Sequence, residues 1–328
     1  MASNQRPTRR HLTLLAAAMI VVAACGGGGA TTGPTTGATT GPVATGAAVD
    51  LTGKSFTIGS KQFTEQLILG AITKLVLEDA GATVKDETGL GGSSVVRDAL
   101  TSGAIDMYWE YTGTGWITHL KNTAPVVGSQ EQFDAVKTAD AANDIVWLEP
   151  APFNNTYAIA VASEKATELN NLKTLSELAT WANANPTMAT LCAAAEFLGR
   201  DDGLPGLEKA YATKFVVSEL DEGLIYTSTD KGDPCLFGEV FVTDGRIQGL
   251  GLLVLEDDKL FFPSYLPSLN VRKSVFDANP DLAMLFAPIA AALDTSTMQA
   301  LNTQVDIGDD EPADVAREFL TTKGLIGG

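Results

Sequence analysis

The stretch Ile105-Asp106-Met107-Tyr108-Trp109-Glu110-Tyr111-Thr112-Gly113-Thr114-Gly115 decides the fold. It reads as a strand running into a glycine-rich turn and then a helix. Apolar and polar residues mix as far as Glu110, and Gly113 and Gly115 punctuate the exit. In open α/β sheets, ligands gather in crevices outside the strand carboxyl ends. Such a turn would project the ring of Tyr111 and the hydroxyl of Thr114 from that end. The competing reading makes Tyr111 a half-buried packing aromatic, because aromatic rings commonly serve the core.

Upstream, residues 55–59 read as a strand and Gly59-Ser60-Lys61 as the turn leaving it. A helix follows over 63–79, with Leu67, Ile68, Ala71, Ile72, Leu75 and Val76 on one stripe at helical spacing. Residues 82–85 form a short second strand. Gly89-Leu90-Gly91-Gly92 connects it to a helix ending at Leu100, and could also expose amides to an anion. Downstream come a helix over 129–142 and a strand over 145–148, before Pro150-Ala151-Pro152 interrupts the chain as a candidate hinge. A second α/β region then begins. It has a strand over 153–161, a capping box at Thr174-Leu175-Ser176-Glu177 and a strand over 188–192. A polar loop over 196–203 carries Arg200, and a helix follows over 222–228. The strand over 240–242 ends at Thr243-Asp244-Gly245-Arg246, and helical patterns fill the C-terminus. Alternating strands and helices mark βαβ units and a largely parallel sheet, and 328 residues allow two such bodies.

The formal charge of −18 argues against nucleic acid, since phosphate binding needs clustered Lys and Arg. Only two histidines occur, His11 and His119, and His11 falls in the leader described below. A multi-histidine metal site is therefore excluded, and His119 is read as structural or surface. There is no Gly-x-Ser-x-Gly nucleophile turn, no zinc-ligand set and no cofactor fingerprint.

Residues 1–24 have a basic head, Arg6, Arg9 and Arg10, then an apolar run from Leu12 to Ala24, with no acid before Asp50. This is the pattern of a signal peptide, too short to span a membrane comfortably. Thr8-Arg9-Arg10-His11-Leu12 also has a faint twin-arginine character. Val22-Ala23-Ala24-Cys25-Gly26 resembles the bacterial lipobox, which implies cleavage before Cys25 and lipid on its sulfur. The competing reading is an ordinary peptidase site with an incidental cysteine. Residues 25–53 are rich in Gly, Thr, Pro and Ala and form a tether without core-building side chains. Cys192 and Cys235 are the thiols left in the folded part. An oxidising exterior permits a bridge between them, and sequence alone leaves it open.

Several short motifs occur in one order: Gly59-Ser60-Lys61-Gln62-Phe63-Thr64-Glu65-Gln66, Gly89-Leu90-Gly91-Gly92, Glu110-Tyr111-Thr112-Gly113-Thr114, Phe153-Asn154-Asn155-Thr156-Tyr157, Thr243-Asp244-Gly245-Arg246 and Val254-Leu255-Glu256-Asp257-Asp258. Together they resemble the substrate-binding lipoproteins of glycine betaine/choline (osmoprotectant) ABC importers, over residues 54–328. The resemblance implies an α/β, two-lobed type II periplasmic-binding-protein fold with the ligand cleft between lobes. Residues 54–153 and 246–328 would form lobe 1, and 154–245 lobe 2. It implies a non-enzymatic monomer, lipid-anchored outside the cytoplasm, that hands a quaternary ammonium solute to a membrane permease without a cofactor. It places an aromatic cage at Tyr111, Tyr157, Phe241 and Tyr265, and a carboxylate site at Lys61, Thr114 and Arg200. Phe241 stands where the family usually has Tyr, and Lys61 is a variable position.

The chemistry suits the assignment. A trimethylammonium group has no N–H to donate, so ring faces recognise it, at about 0.5–2 kcal/mol each. Arginine offers a carboxylate a planar fork. Core packing is the competing reading for each ring, and an interlobe salt bridge for Arg200. The runner-up ligands are choline, carnitine or another cationic solute. The runner-up class is a lipid-anchored extracellular enzyme using Glu110 with Asp244.

Overall fold

The computed structural model describes residues 49–327. The signal peptide, Cys25 and most of the tether lie outside the described residues. Ten strands occur among those described: β1 Ser55–Lys61, β2 Thr83–Gly91, β3 Met107–Tyr111, β4 Ile145–Trp147, β5 Tyr157–Ala162, β6 Thr190–Ala193, β7 Val216–Glu219, β8 Phe237–Phe241, β9 Leu252–Val254 and β10 Pro267–Arg272. They form two five-stranded sheets, ordered β2-β1-β3-β10-β4 and β7-β6-β8-β5-β9.

In the first sheet β1 pairs in parallel with β2 and β3, while β10 runs antiparallel to β3 and β4. Every residue of β3 is buried. Met107 and Trp109 join a cluster with the helices Thr64–Asp79 and Pro312–Thr322, and Tyr108 joins another with Phe133 and Trp147. Covering both faces removes the alternation that a half-solvated strand would show, as expected for a central strand of an α/β layer. The second sheet repeats the arrangement. Along β5, Tyr157, Ile159 and Val161 pack into one cluster and Ala158 and Ala160 into another.

The chain passes from the first sheet to the second between β4 and β5, where Pro150 and Pro152 were read as a hinge. It does not return at residues 245–246. The apolar stretch after Gly249 supplies β9, which pairs with β5 through Leu252↔Ala162 and Val254↔Ala160. Edge pairing hides Leu252 and satisfies its backbone, so the return falls between Val254 and Pro267. The first sheet thus draws strands from both ends of the described chain, and its second segment starts later than residue 246.

Other local differences have physical causes. β2 runs on through Gly91, because Gly89 and Gly91 adopt positive φ of 75° and 139° at the bulge where Lys61 meets Gly91. The expected glycine turn after Tyr111 is helical from Thr112 onward. Gly115 is required there for space, since a Cβ would stand 2.6 Å from the Trp147 ring and 2.8 Å from Val136. The polar loop at 196–203 begins as a short helix, Ala195–Gly199. The capping box is present, with Thr174 accepting from Glu177 N–H at 3.2 Å and Glu177 accepting from Thr174 N–H at 3.1 Å. Cys192 and Cys235 are bridged, with Cα atoms 5.5 Å apart, joining β6 to the residues before β8.

Overpacking a buried site costs about 1–3 kcal/mol. Gly115→Ala is therefore expected to lower the urea midpoint measurably, whereas Gly199→Ala, with nothing within 4 Å of the added methyl, leaves it unchanged or raises it.

Candidate functional site

Two sheets that each end in a row of aromatic and charged side chains leave a cavity between them. It is partly open to solvent. All seven residues singled out from the sequence line it: Lys61, Tyr111, Thr114, Tyr157, Arg200, Phe241 and Tyr265. Lys61 ends β1 and Tyr111 ends β3, so both sit at strand carboxyl ends. Tyr157 opens β5 opposite Phe241, the last residue of β8, and this cross-strand register fixes their spacing. Tyr265 lies on the return segment just before β10, and Arg200 follows the helix Ala195–Gly199.

The rings form a continuous arc. Tyr157 lies 5.0 Å from Phe241 and meets Tyr265 edge-on at 5.7 Å. Phe63, which sequence reading treated only as a helix start, completes the arc by stacking on Phe241 at 5.0 Å and on Tyr111 at 6.2 Å. Its signal was the Gln62-Phe63-Thr64 segment, in which an aromatic precedes the helix where a capping side chain is usual. Two ring faces already meet cations of the protein itself, Lys61 Nζ at 5.0 Å from the Tyr111 centroid and Arg200 Cζ at 5.3 Å from Tyr157.

Each cation is held by acids. Lys61 Nζ lies 2.7 Å from Glu110, whose carboxylate also accepts from Tyr108 OH and Tyr111 N–H and pairs with His119 Nε2 at 2.8 Å. Burial opposes the charge on Glu110, but Lys61 and His119 outweigh it and hold the carboxyl well below its ordinary value. Arg200 is 6% exposed. It donates Nε and Nη2 to Asp202 at 2.8 and 2.6 Å, Nη1 to Glu196 at 2.8 Å and Nη2 to Thr114 at 3.2 Å. Asp202 also accepts from Tyr265 OH at 2.8 Å, so arginine and ring are oriented together. Both acids stand on Arg200's own side, and only the Thr114 hydroxyl reaches it from the first sheet. An interlobe salt bridge is therefore not its arrangement.

Two acids that sequence reading did not single out, Glu196 and Glu222, line the cavity, and a third, Glu239, is buried nearby. Glu196 accepts from Ser93 across the cleft through N–H at 3.0 Å and Oγ at 2.6 Å. Burial works against its charge, but Lys61 and Arg200 outweigh that and leave its pKa at about 2. Glu222 makes no hydrogen bond or ion pair among the described residues, and burial with the nearby Glu196 charge raises its pKa to about 7. Burial likewise raises Glu239 to about 8, although Ala194 N–H donates to it at 3.0 Å. These acids are scattered along the chain and converge only in three dimensions, so no local motif marked them. The Glu110–Asp244 pairing is absent, because Glu110 is matched by Lys61 and Asp244 by Arg246.

A two-sheet receptor with a ring-lined cleft between its halves is the class of protein that this geometry defines. Residues 54–322 match the family model described as the substrate-binding domain of the ABC-type glycine betaine transport system, and the chain belongs to that family. A glycine-betaine-binding protein of Pseudomonas aeruginosa is 40% identical over 277 residues, covering 82% of this chain and 88% of the relative. An ergothioneine transport permease/ergothioneine-binding protein, EgtU, of Helicobacter pylori is 34% identical, covering 83% of this chain and 48% of the relative. The apo structure of YehZ from Escherichia coli is 35% identical, with a TM-score of 0.61 over 83% of this chain and 99% of that one. The protein is thus the substrate-binding component of an ABC importer, works outside the cytoplasm with a small ligand and a permease, and is not an enzyme.

The raised carboxyls give a pH dependence with a definite sign. Glu239 binds its proton more tightly folded than at its ordinary value of 4.5, so its contribution is full below that pH and is lost as pH rises through about 8. Glu222 acts in the same direction toward about 7. Unfolding free energy is expected to fall between pH 5 and 8, with a shallower slope in Glu239→Gln, as read by urea denaturation across that range.

Proposed function

We propose that the protein captures a quaternary ammonium betaine, glycine betaine or a close analogue, with the rings of Tyr111, Tyr157, Phe241 and Tyr265 around the cationic head. Arg200, Thr114 and Lys61 face the carboxylate. The observation that carries this reading is the placement of Lys61 and Arg200 over ring faces of the same cavity, where a ligand cation would find the same attraction. Asp202 fixes one edge of the Arg200 fork, which leaves its orientation set before a carboxylate arrives. Phe63 supplies a fifth ring. Betaines carry both a trimethylammonium group and a carboxylate, and two of the relatives named above are described as binding such compounds.

The reading also includes a lipid on Cys25, a tether over 25–53, a monomeric receptor and two lobes divided near residues 153 and 254. Cys25 directly follows the apolar core of the leader and precedes a stretch without bulky residues. Cys25→Ala is expected to release the protein or stall its processing, and a variant retained in the membrane at unchanged mature mass overturns the anchor.

Calorimetric titration with glycine betaine and choline tests the ligand site. Tyr157→Ala removes a ring face and weakens both ligands. Arg200→Ala strips the cation from the carboxylate end and, through Asp202, loosens the Tyr265 ring, so glycine betaine affinity falls on the order of a hundredfold, about 2.7 kcal/mol, and choline affinity falls much less. Phe241→Tyr keeps the ring and has a mild effect. Equal weakening of both ligands by Arg200→Ala makes the arginine structural.

A further inference from the structure

Glu65, one residue into the helix Thr64–Asp79, is 3% exposed and has no ion-pair partner among the described residues. Its carboxylate instead meets four uncharged groups from four places in the chain. Oε1 accepts from Tyr111 OH at 2.7 Å and from Asn155 Nδ2 at 2.9 Å. Oε2 accepts from Thr243 OH at 2.6 Å and from Asn302 Nδ2 at 3.1 Å. Tyr111 is the cage ring at the end of β3, Asn155 lies on the segment leading into β5, Thr243 follows β8 of the second sheet, and Asn302 lies on the helix Thr295–Asp306. Asn302 also donates to the Thr243 carbonyl at 2.9 Å.

A buried carboxylate that loses donors bears a desolvation cost, so the four bonds favour one arrangement in which all are made together. One oxygen holds the cage and the connecting segment, and the other is shared by Thr243 after β8 and by Asn302, whose helix packs in the same core as Glu65's own. Opening the lobes would withdraw Thr243 and leave Oε2 with Asn302 alone, while tilting the Tyr111 ring would leave Oε1 with Asn155 alone.

We propose that Glu65 is a positioning residue that makes cage geometry and lobe closure a single event, through Tyr111 on one oxygen and Thr243 on the other. The inference rests on the cage reading given above. The Phe63 stack also links Tyr111 to Phe241, but Tyr111→Phe and Thr243→Val leave those rings in place, so coupling of the two hydroxyls through this carboxylate is the readout that a merely structural glutamate would not produce.

The test is a double-mutant cycle on choline and glycine betaine affinity. Tyr111→Phe keeps the ring and removes its hydroxyl, and Thr243→Val removes the bond from the second lobe. The two losses are expected to be non-additive by at least threefold in the native background and additive in Glu65→Gln. Glu65→Asp, which keeps the charge but shortens the reach, retains part of the coupling. Additive losses in the native background, or coupling unchanged in Glu65→Gln, overturn the proposal. If native protein binds neither probe, the cage reading fails and small-angle scattering without ligand decides the coupling. Expansion in Glu65→Gln and in Thr243→Val supports it, and profiles superimposable on native protein overturn it.

Discussion

The structure depends on a carboxylate that should not be where it is. Glu110 has no solvent exposure, yet stands at the carboxyl end of the central strand β3. Removing a carboxylate from water costs several kcal/mol unless it is paired and hydrogen-bonded. Lys61 from β1, Tyr108 from its own strand, the Tyr111 backbone and His119 from the following helix provide those bonds. The pairing sets where the Lys61 ammonium stands, and Lys61 in turn covers one face of Tyr111. A charge buried for the sake of the sheet thus aligns the first half of the cavity, and His119, the lone histidine of the folded part, is structural in that network.

The second half uses the same device with the signs exchanged. Arg200 is the buried charge, and Asp202 and Glu196 compensate it. In both halves a cation lies over a tyrosine with an acid behind it. The cavity therefore presents ring faces in a field where positive charge is already matched by Glu110, Glu196 and Asp202. On the proposed reading, such a field suits a cationic head, and the guanidinium held by Asp202 gives an accompanying carboxylate one direction to point.

Much of this was legible in the sequence. The strand-to-helix passage at Met107–Thr114 was visible because an aromatic and small-residue run interrupts the periodic pattern, and resemblance to a family placed seven residues that the fold brings to one cavity. Phe63 was less visible, because an aromatic before a helix has no unique local meaning. Glu65, Glu196 and Asp202 could not be singled out, because a buried acid and a surface acid look alike until their partners are known. The return crossing was misplaced for a similar reason. Gly245 looks like a boundary, but the three-residue strand β9 that follows is too short for its period to announce which sheet it joins.

Each sheet contributes only part of the ring arc, Tyr111 from one and Tyr157 with Phe241 from the other. A solute resting on one open half would touch too few faces to stay. Its residence time is then the lifetime of the shut form. On the proposed two-lobed reading, arrival depends on how often the halves stand apart, and escape on how often the Glu196–Ser93 contact across the cleft gives way. A transport partner that pried the halves open would therefore discharge the cargo without having to compete for it, and the same rings could serve scavenging at low concentration and rapid delivery.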